Sequence, residues 1–213
     1  MIDYTGKFKK ATRGKTCIFI DAANLERSVQ DMRVMKEDID EKLKNKKGES
    51  LCWKVDYRKL KKFFEEQTKL KKITFYSAKF DNIGHDNFLA FLKKQGYELQ
   101  TKSLKKYDDH TEEKPHRKAN FDVEIATDSV SEMEKFQTIV LFSGDSDFKY
   151  LLNYLRSNGK ITIVFSRSGH VAKELPAASN YYFDIANFRH EILKIETKKQ
   201  KTPPKRDSAV DNR

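Results

Sequence analysis

Cysteine is nearly missing. Cys17 and Cys52 are the only two in 213 residues, and neither sits in a CxxC or Cys/His spacing. That excludes a disulfide framework and a thiolate zinc site, and it points to free thiols in a reducing compartment. Long apolar runs are missing too. No stretch approaches the ~20 residues a membrane helix requires. The opening MIDYTGKFKKATRGK is polar and basic, without an apolar signal segment. We therefore expect a cytoplasmic protein with no membrane partner. A glycine-rich phosphate loop is absent, which argues against a nucleotide-fuelled enzyme. So are internal repeats and the aromatic-plus-basic strand motifs of single-stranded RNA platforms.

Charge is abundant. Lys and Arg number 43 against 32 Asp and Glu, a formal net charge of +11, and mean hydropathy is −0.79. A basic surface recruits polyanions, and composition alone does not choose among nucleic acid, anionic membranes and acidic proteins. The length suits one core and one domain.

Short apolar runs alternate with helical patterns. CIFI at 17–20, ITFYSA at 73–78, TIVLF at 138–142, ITIVF at 161–165 and YYFDI at 181–185 read as strands, and YELQTK at 97–102 as an outer strand. Helices are expected after Asp56, at 87–95, 121–133, 148–157 and 171–178, with a closing turn at 188–192. This alternation predicts an α/β fold, a three-layer α/β/α sandwich around a mostly parallel central sheet. The core domain is expected at 16–195, after a basic N-terminal extension at 1–15. A charged insertion is expected at about 26–50, a polar loop at 103–120 and a basic, disordered tail at 196–213.

The acids sit where such a sheet does its work. In an open parallel sheet, ligands bind beyond the carboxyl ends of the strands. Asp21 follows the first strand, Asp145 and Asp147 follow the strand at 138–142, and Asp122 opens the helix before it. If the first strand and the 138–142 strand are neighbours, these carboxylates share a crevice. Packed carboxylates repel unless a cation neutralises them. An oxygen-only set suits Mg²⁺ or Mn²⁺, which polarises a phosphoryl oxygen. Helix capping is the competing explanation for Asp21, Asp122 and Asp147. Asn24 either caps a helix or orients Asp21, and Ser143 is placed to donate to a carboxylate or a phosphate. Asp128 lies six residues past Asp122, well off its direction on a helix, which leaves it a supporting or a solvated role. Lys118, Arg167 and His170 are candidates for phosphate contact, with ordinary surface charge as the alternative.

Three segments, FIDAANL (19–25), KANFDVEIATDSV (118–130) and SGDSDFKYLLNYLRSNGKITIVF (143–165), resemble the signatures of NYN domains, the LabA-like branch of the PIN-like nuclease superfamily. The resemblance spans about 15–190. It implies a PIN-like sandwich and a metal-dependent nuclease, with RNA ahead of DNA as substrate. It also implies a metal set of Asp21, Asp122, Asp145 and Asp147, supported by Asn24 and Asp128. Ala22 and Ala119 stand where the family has glycine, and neither departure removes an acid. The alternative is a non-catalytic or regulatory RNA- or protein-binding role on the same fold. A homodimer, or a protein partner docking on 26–50, remains open. A haloacid-dehalogenase-type phosphatase fails on one residue: its second aspartate would stand at position 23, which is Ala.

Overall fold

The structure is a computed structural model that describes residues 2–41, 51–103, 105–106, 117–118 and 120–197, with the side chains of 105–106 and 117–118 excepted. The expected tail beyond 197, the far part of the insertion at 42–50 and most of the 103–120 loop lie outside the described residues.

Six strands form one parallel sheet. In chain order they are β1 (Lys15–Asp21), β3 (Lys69–Lys79), β4 (Glu98–Ser103), β7 (Thr138–Phe142), β8 (Ile161–Ser166) and β9 (Tyr181–Asp184). They lie in the order β4-β3-β1-β7-β8-β9. Every pairing between them is parallel. Two further short strands, β5 (Lys105–Lys106) and β6 (Arg117–Lys118), pair antiparallel outside this sheet.

The period of two along each strand sends alternate side chains into two cores. Ile18, Ile20, Val140 and Phe142 enter one, and Cys17, Phe19, Ile139 and Leu141 enter the other. The first core is covered by α1 (Tyr4–Ala11), α2 (Ala22–Gln30), α3 (Tyr57–Gln67) and α4 (Ile83–Lys94). The second is covered by α5 (Asp122–Ser131), α6 (Lys149–Ser157) and α7 (Glu174–Ala178). This is the three-layer α/β/α sandwich that the alternation of runs predicts. The chain starts in the middle of the sheet, runs to one edge, then returns past β1 to build the other. The reversal falls between β1 and β7, which opens a crevice beyond their carboxyl ends.

Three regions differ from the sequence reading. The extension at 1–15 contains α1, capped by Asp3, and its Phe8 is fully buried against the rings of Phe63, Phe64 and Phe165. One phenylalanine and one alanine in a run of lysines give too weak a stripe to show a docked helix. The charged region from residue 26 is not a single excursion. Residues 26–30 finish α2 and bury Ser28 and Val29. Beyond them Asp38, with no side-chain exposure, accepts from Arg189 Nε at 2.8 Å. Finally, β2 (Leu51–Val55) and β10 (Leu193–Thr197) form an antiparallel ribbon that the reading did not contain. The ribbon carries the chain two residues past the expected domain boundary. The closing turn expected at 188–192 is α8 (Arg189–Ile192), which feeds β10.

Candidate metal centre

The crevice between β1 and β7 gathers the acids. Ile20 pairs with Phe142, so Asp21 and Ser143 leave their strands side by side. The SGDSD segment then turns sharply. Asp145 caps a single turn of 3-10 helix at 146–148, its Oδ1 accepting from Asp147 N–H at 3.1 Å. Ser143 Oγ, buried, accepts from Asp145 N–H at 3.2 Å. Gly144 is needed for close approach rather than for its backbone angle. Its carbonyl accepts from Ala172 N–H at 2.9 Å, and a Cβ there would collide with the His170 carbonyl oxygen and Ser166 Oγ.

Asp122 arrives from the opposite side, in the first turn of α5. Its N–H donates to Asn120 Oδ1 at 2.9 Å, which fixes where the helix begins. Asp122, Asp145 and Asp147 each offer a carboxylate oxygen, and the three oxygens lie within 4.8 Å of one another. Asp122 and Asp145 are half-buried and Asp147 is exposed, so the triplet opens to solvent. Among the described residues no cationic side chain pairs with any of the three. Burial holds the Asp122 carboxyl above the ordinary carboxylate range. The Asn120 hydrogen bond opposes that, and the charges of Asp145, Asp21 and Asp147 add to it. Hard oxygen donors around uncompensated charge fit a divalent cation of the Mg²⁺ or Mn²⁺ type.

Asp21 is close but is not one of the triplet. It is 9% exposed, and both its oxygens are engaged by Asn24, through the backbone N–H and the side-chain amide. Burial raises its pKa first of all, the Asn24 bonds oppose this, and Asp145 adds to it. Asn24 Oδ1 in turn accepts from Gly144 N–H at 3.4 Å, which ties the end of β1 to the turn after β7.

The other expected residues fall as follows. Asp128 stands apart from the triplet and accepts from the Tyr76 hydroxyl at 2.8 Å, linking α5 to β3. Arg167 and His170 lie in the loop that packs on Gly144. Arg167 Nη1 is shielded and has no hydrogen-bond partner, while His170 Nε2 lies 4.0 Å from Asp31, just past α2. The Lys118 side chain lies outside the described residues. Two supports went unnoticed in the sequence, Asn120 and Tyr76. An Asn two residues ahead of a helical Asp is the available signal for the first. Nothing in ITFYSA marks the second.

Residues 15–186 match the NYN-domain family model. The chain belongs to the NYN-domain family. This NYN protein is 31% identical over 147 residues to the Low amplitude and bright protein LabA of Synechococcus elongatus, a match spanning 68% of this chain and 79% of the relative. Its fold is similar to the crystal structure of a protein of unknown function from Vibrio parahaemolyticus. There the TM-score is 0.61 at 16% identity, over 84% of this chain and 96% of that one, and the likeness is one of fold alone. No helix among the described residues of the NYN protein is long and apolar enough to cross a membrane.

Proposed function

We propose that this NYN protein is a divalent-metal-dependent nuclease that hydrolyses phosphodiester bonds, with RNA as its main substrate. The observation that carries this reading is the triplet Asp122, Asp145 and Asp147 at the switch point of the sheet, in a chain of net charge +11. A basic chain attracts a polyanion, and an acidic cleft repels one unless it holds a cation. A Mg²⁺ or Mn²⁺ ion held there would supply Lewis-acid polarisation of the phosphoryl oxygen and a more acidic water.

The side chains have distinct tasks in this reading. Asp122, Asp145 and Asp147 would hold the ion, each from its own backbone anchor. With Asp145 Oδ1 occupied by the Asp147 N–H, its second oxygen is free for the ion. Asp21 adds negative charge from behind and, with Asn24, keeps the Ser143–Gly144 turn in place. Arg167 is assigned a phosphate contact from the adjoining loop on its place beyond the end of β8. Lys118 and His170 are assigned the same role on their place in the sequence.

The test is cleavage of labelled single-stranded RNA and DNA in Mn²⁺, Mg²⁺ or EDTA, by the wild-type chain, Asp145→Asn and Asp122→Asn. Cutting that needs metal, prefers RNA and disappears in both variants is expected. Metal bound at the triplet without cutting of either polymer would overturn the nuclease reading in favour of a binding role.

A further inference from the structure

An apolar groove of about 320 Å³ runs between α5 and α6 and ends at the candidate metal centre. Asp122, Ala126 and Val130 are spaced four apart and share one face of α5, and the facing side of α6 presents Leu151 and Tyr154. Phe148 and Leu151 belong to the buried core and form its lining. At the rim stand Tyr150, 83% exposed, and Tyr154, 39% exposed. Asp122 and Asp147, two of the three metal-centre acids, close one end. Lys149, beside Tyr150, is exposed.

Two occupants are conceivable for such a surface, a protein partner and a nucleotide. A protein partner laid over the groove would cover Asp122 and Asp147 and would have to supply a cation to both, since stranding buried carboxylates is costly. A nucleotide whose phosphate shares the metal centre has no such difficulty, because the ion that binds its phosphate also neutralises the acids. The volume lies at the small end of ligand pockets, which run from about 300 to 1,000 Å³. It admits a single planar group. Two tyrosine rings at the rim offer the faces on which any base stacks, without a choice among bases.

We propose that the groove between α5 and α6 is a base-stacking subsite, in which Tyr150 and Tyr154 take an unpaired base next to the phosphate at Asp122 and Asp147. The substrate is then single-stranded, since a base inside a duplex does not reach the groove. The inference rests on the nuclease reading for the position of the phosphate.

Binding separates the two claims, because it needs no turnover. The assay is fluorescence anisotropy of the full chain in excess Ca²⁺, a hard cation that takes the same oxygen ligands and neutralises the acids, with a labelled single-stranded RNA and with the same sequence as a duplex. Salt near 0.3 M suppresses contacts that depend on charge alone. Tyr150→Ala and Tyr154→Ala each remove an exposed ring and leave the core intact. Each is expected to weaken single-strand binding about tenfold or more. Tyr150→Phe, which keeps the ring, should stay within about twofold of wild type, and duplex binding should not respond to any of the three. Equal losses on both polymers, or no loss, would overturn the subsite. So would a shift in oligomeric state of Tyr150→Ala by light scattering, which would make the surface a protein interface. A chain that binds single strands through these rings but never cuts leaves the subsite standing and removes the nuclease reading. A chain that cuts, with binding indifferent to both rings, does the reverse.

Discussion

Asp21 and Asp147 are both aspartates at the carboxyl ends of strands of the same sheet, the first closing β1 and the second a few residues past β7, yet they live in opposite surroundings. Asp21 is 9% exposed and has both oxygens engaged by Asn24. Asp147 is exposed, and its carboxylate faces those of Asp122 and Asp145. The first carboxylate is taken up by the scaffold, and the other is turned outward beside its acidic neighbours. Position in the sequence did not separate these roles. The hydrogen bonds did, because Asn24 engages both oxygens of Asp21.

The widest gap is expected in metal affinity. Asp145→Asn keeps the cap on Asp147 N–H but loses a charged ligand, and Mn²⁺ affinity measured by calorimetry should fall by at least about 100-fold with the fold intact. Asp21→Asn should cost about tenfold, the scale of residues that support a ligand set. Equal losses in the two variants would place Asp21 among the ligands. Next in size is Gly144→Ala. The added methyl meets the His170 carbonyl, and thermal unfolding should show a loss of about 1–3 kcal/mol. Asn24→Ala strips Asp21 of its side-chain partner and Gly144 N–H of its acceptor, for about 1–2 kcal/mol in the same experiment.

The smallest effect concerns pH. The Asp122 carboxyl titrates above the ordinary carboxylate range in the folded chain, so the native state holds its proton more tightly than the unfolded one. Its ionisation therefore opposes folding above the folded pKa, and that penalty is relieved as pH falls through the folded pKa towards the unfolded value. In EDTA at neutral pH, Asp122→Asn should melt above wild type, and the difference should close on acidification. Added Mn²⁺ should invert the order, because only wild type keeps the full ligand set. An Asp122→Asn chain less stable than wild type in EDTA would contradict the crowding of charge.

Much of the centre was legible because its elements are strongly patterned. TIVLF and ITIVF are continuous apolar runs, as a strand buried on both faces requires. CIFI, ended by Asp21, and TIVLF, ended by Ser-Gly-Asp, place their acids at a strand terminus by chain order alone. That β1 and β7 are neighbours is another matter, since no periodicity encodes which strands adjoin. Nor does the sequence decide between the two roles open to Asn24, a helix cap or a partner that orients Asp21, because both call for the same residue type; the structure shows the partner of Asp21. The β2–β10 ribbon escaped for a related reason. LCWKV and LKIET each carry charge within five residues, and each becomes a strand only by pairing with a partner some 140 residues away. Phe8 is the extreme case, a lone ring among lysines whose burial depends on five other phenylalanines gathered from three parts of the chain.

The register of that ribbon sets Leu51 opposite Thr197. Residues 42–50, with four Lys and one Glu, enter the fold at Leu51. Residues 198–213, with six Lys or Arg and two Asp, leave it at Thr197. Two separate stretches of sequence, net +3 and net +4, are thus rooted one strand spacing apart, about 5 Å. The ribbon brings to one place in the fold the residues that adjoin both basic runs in the sequence.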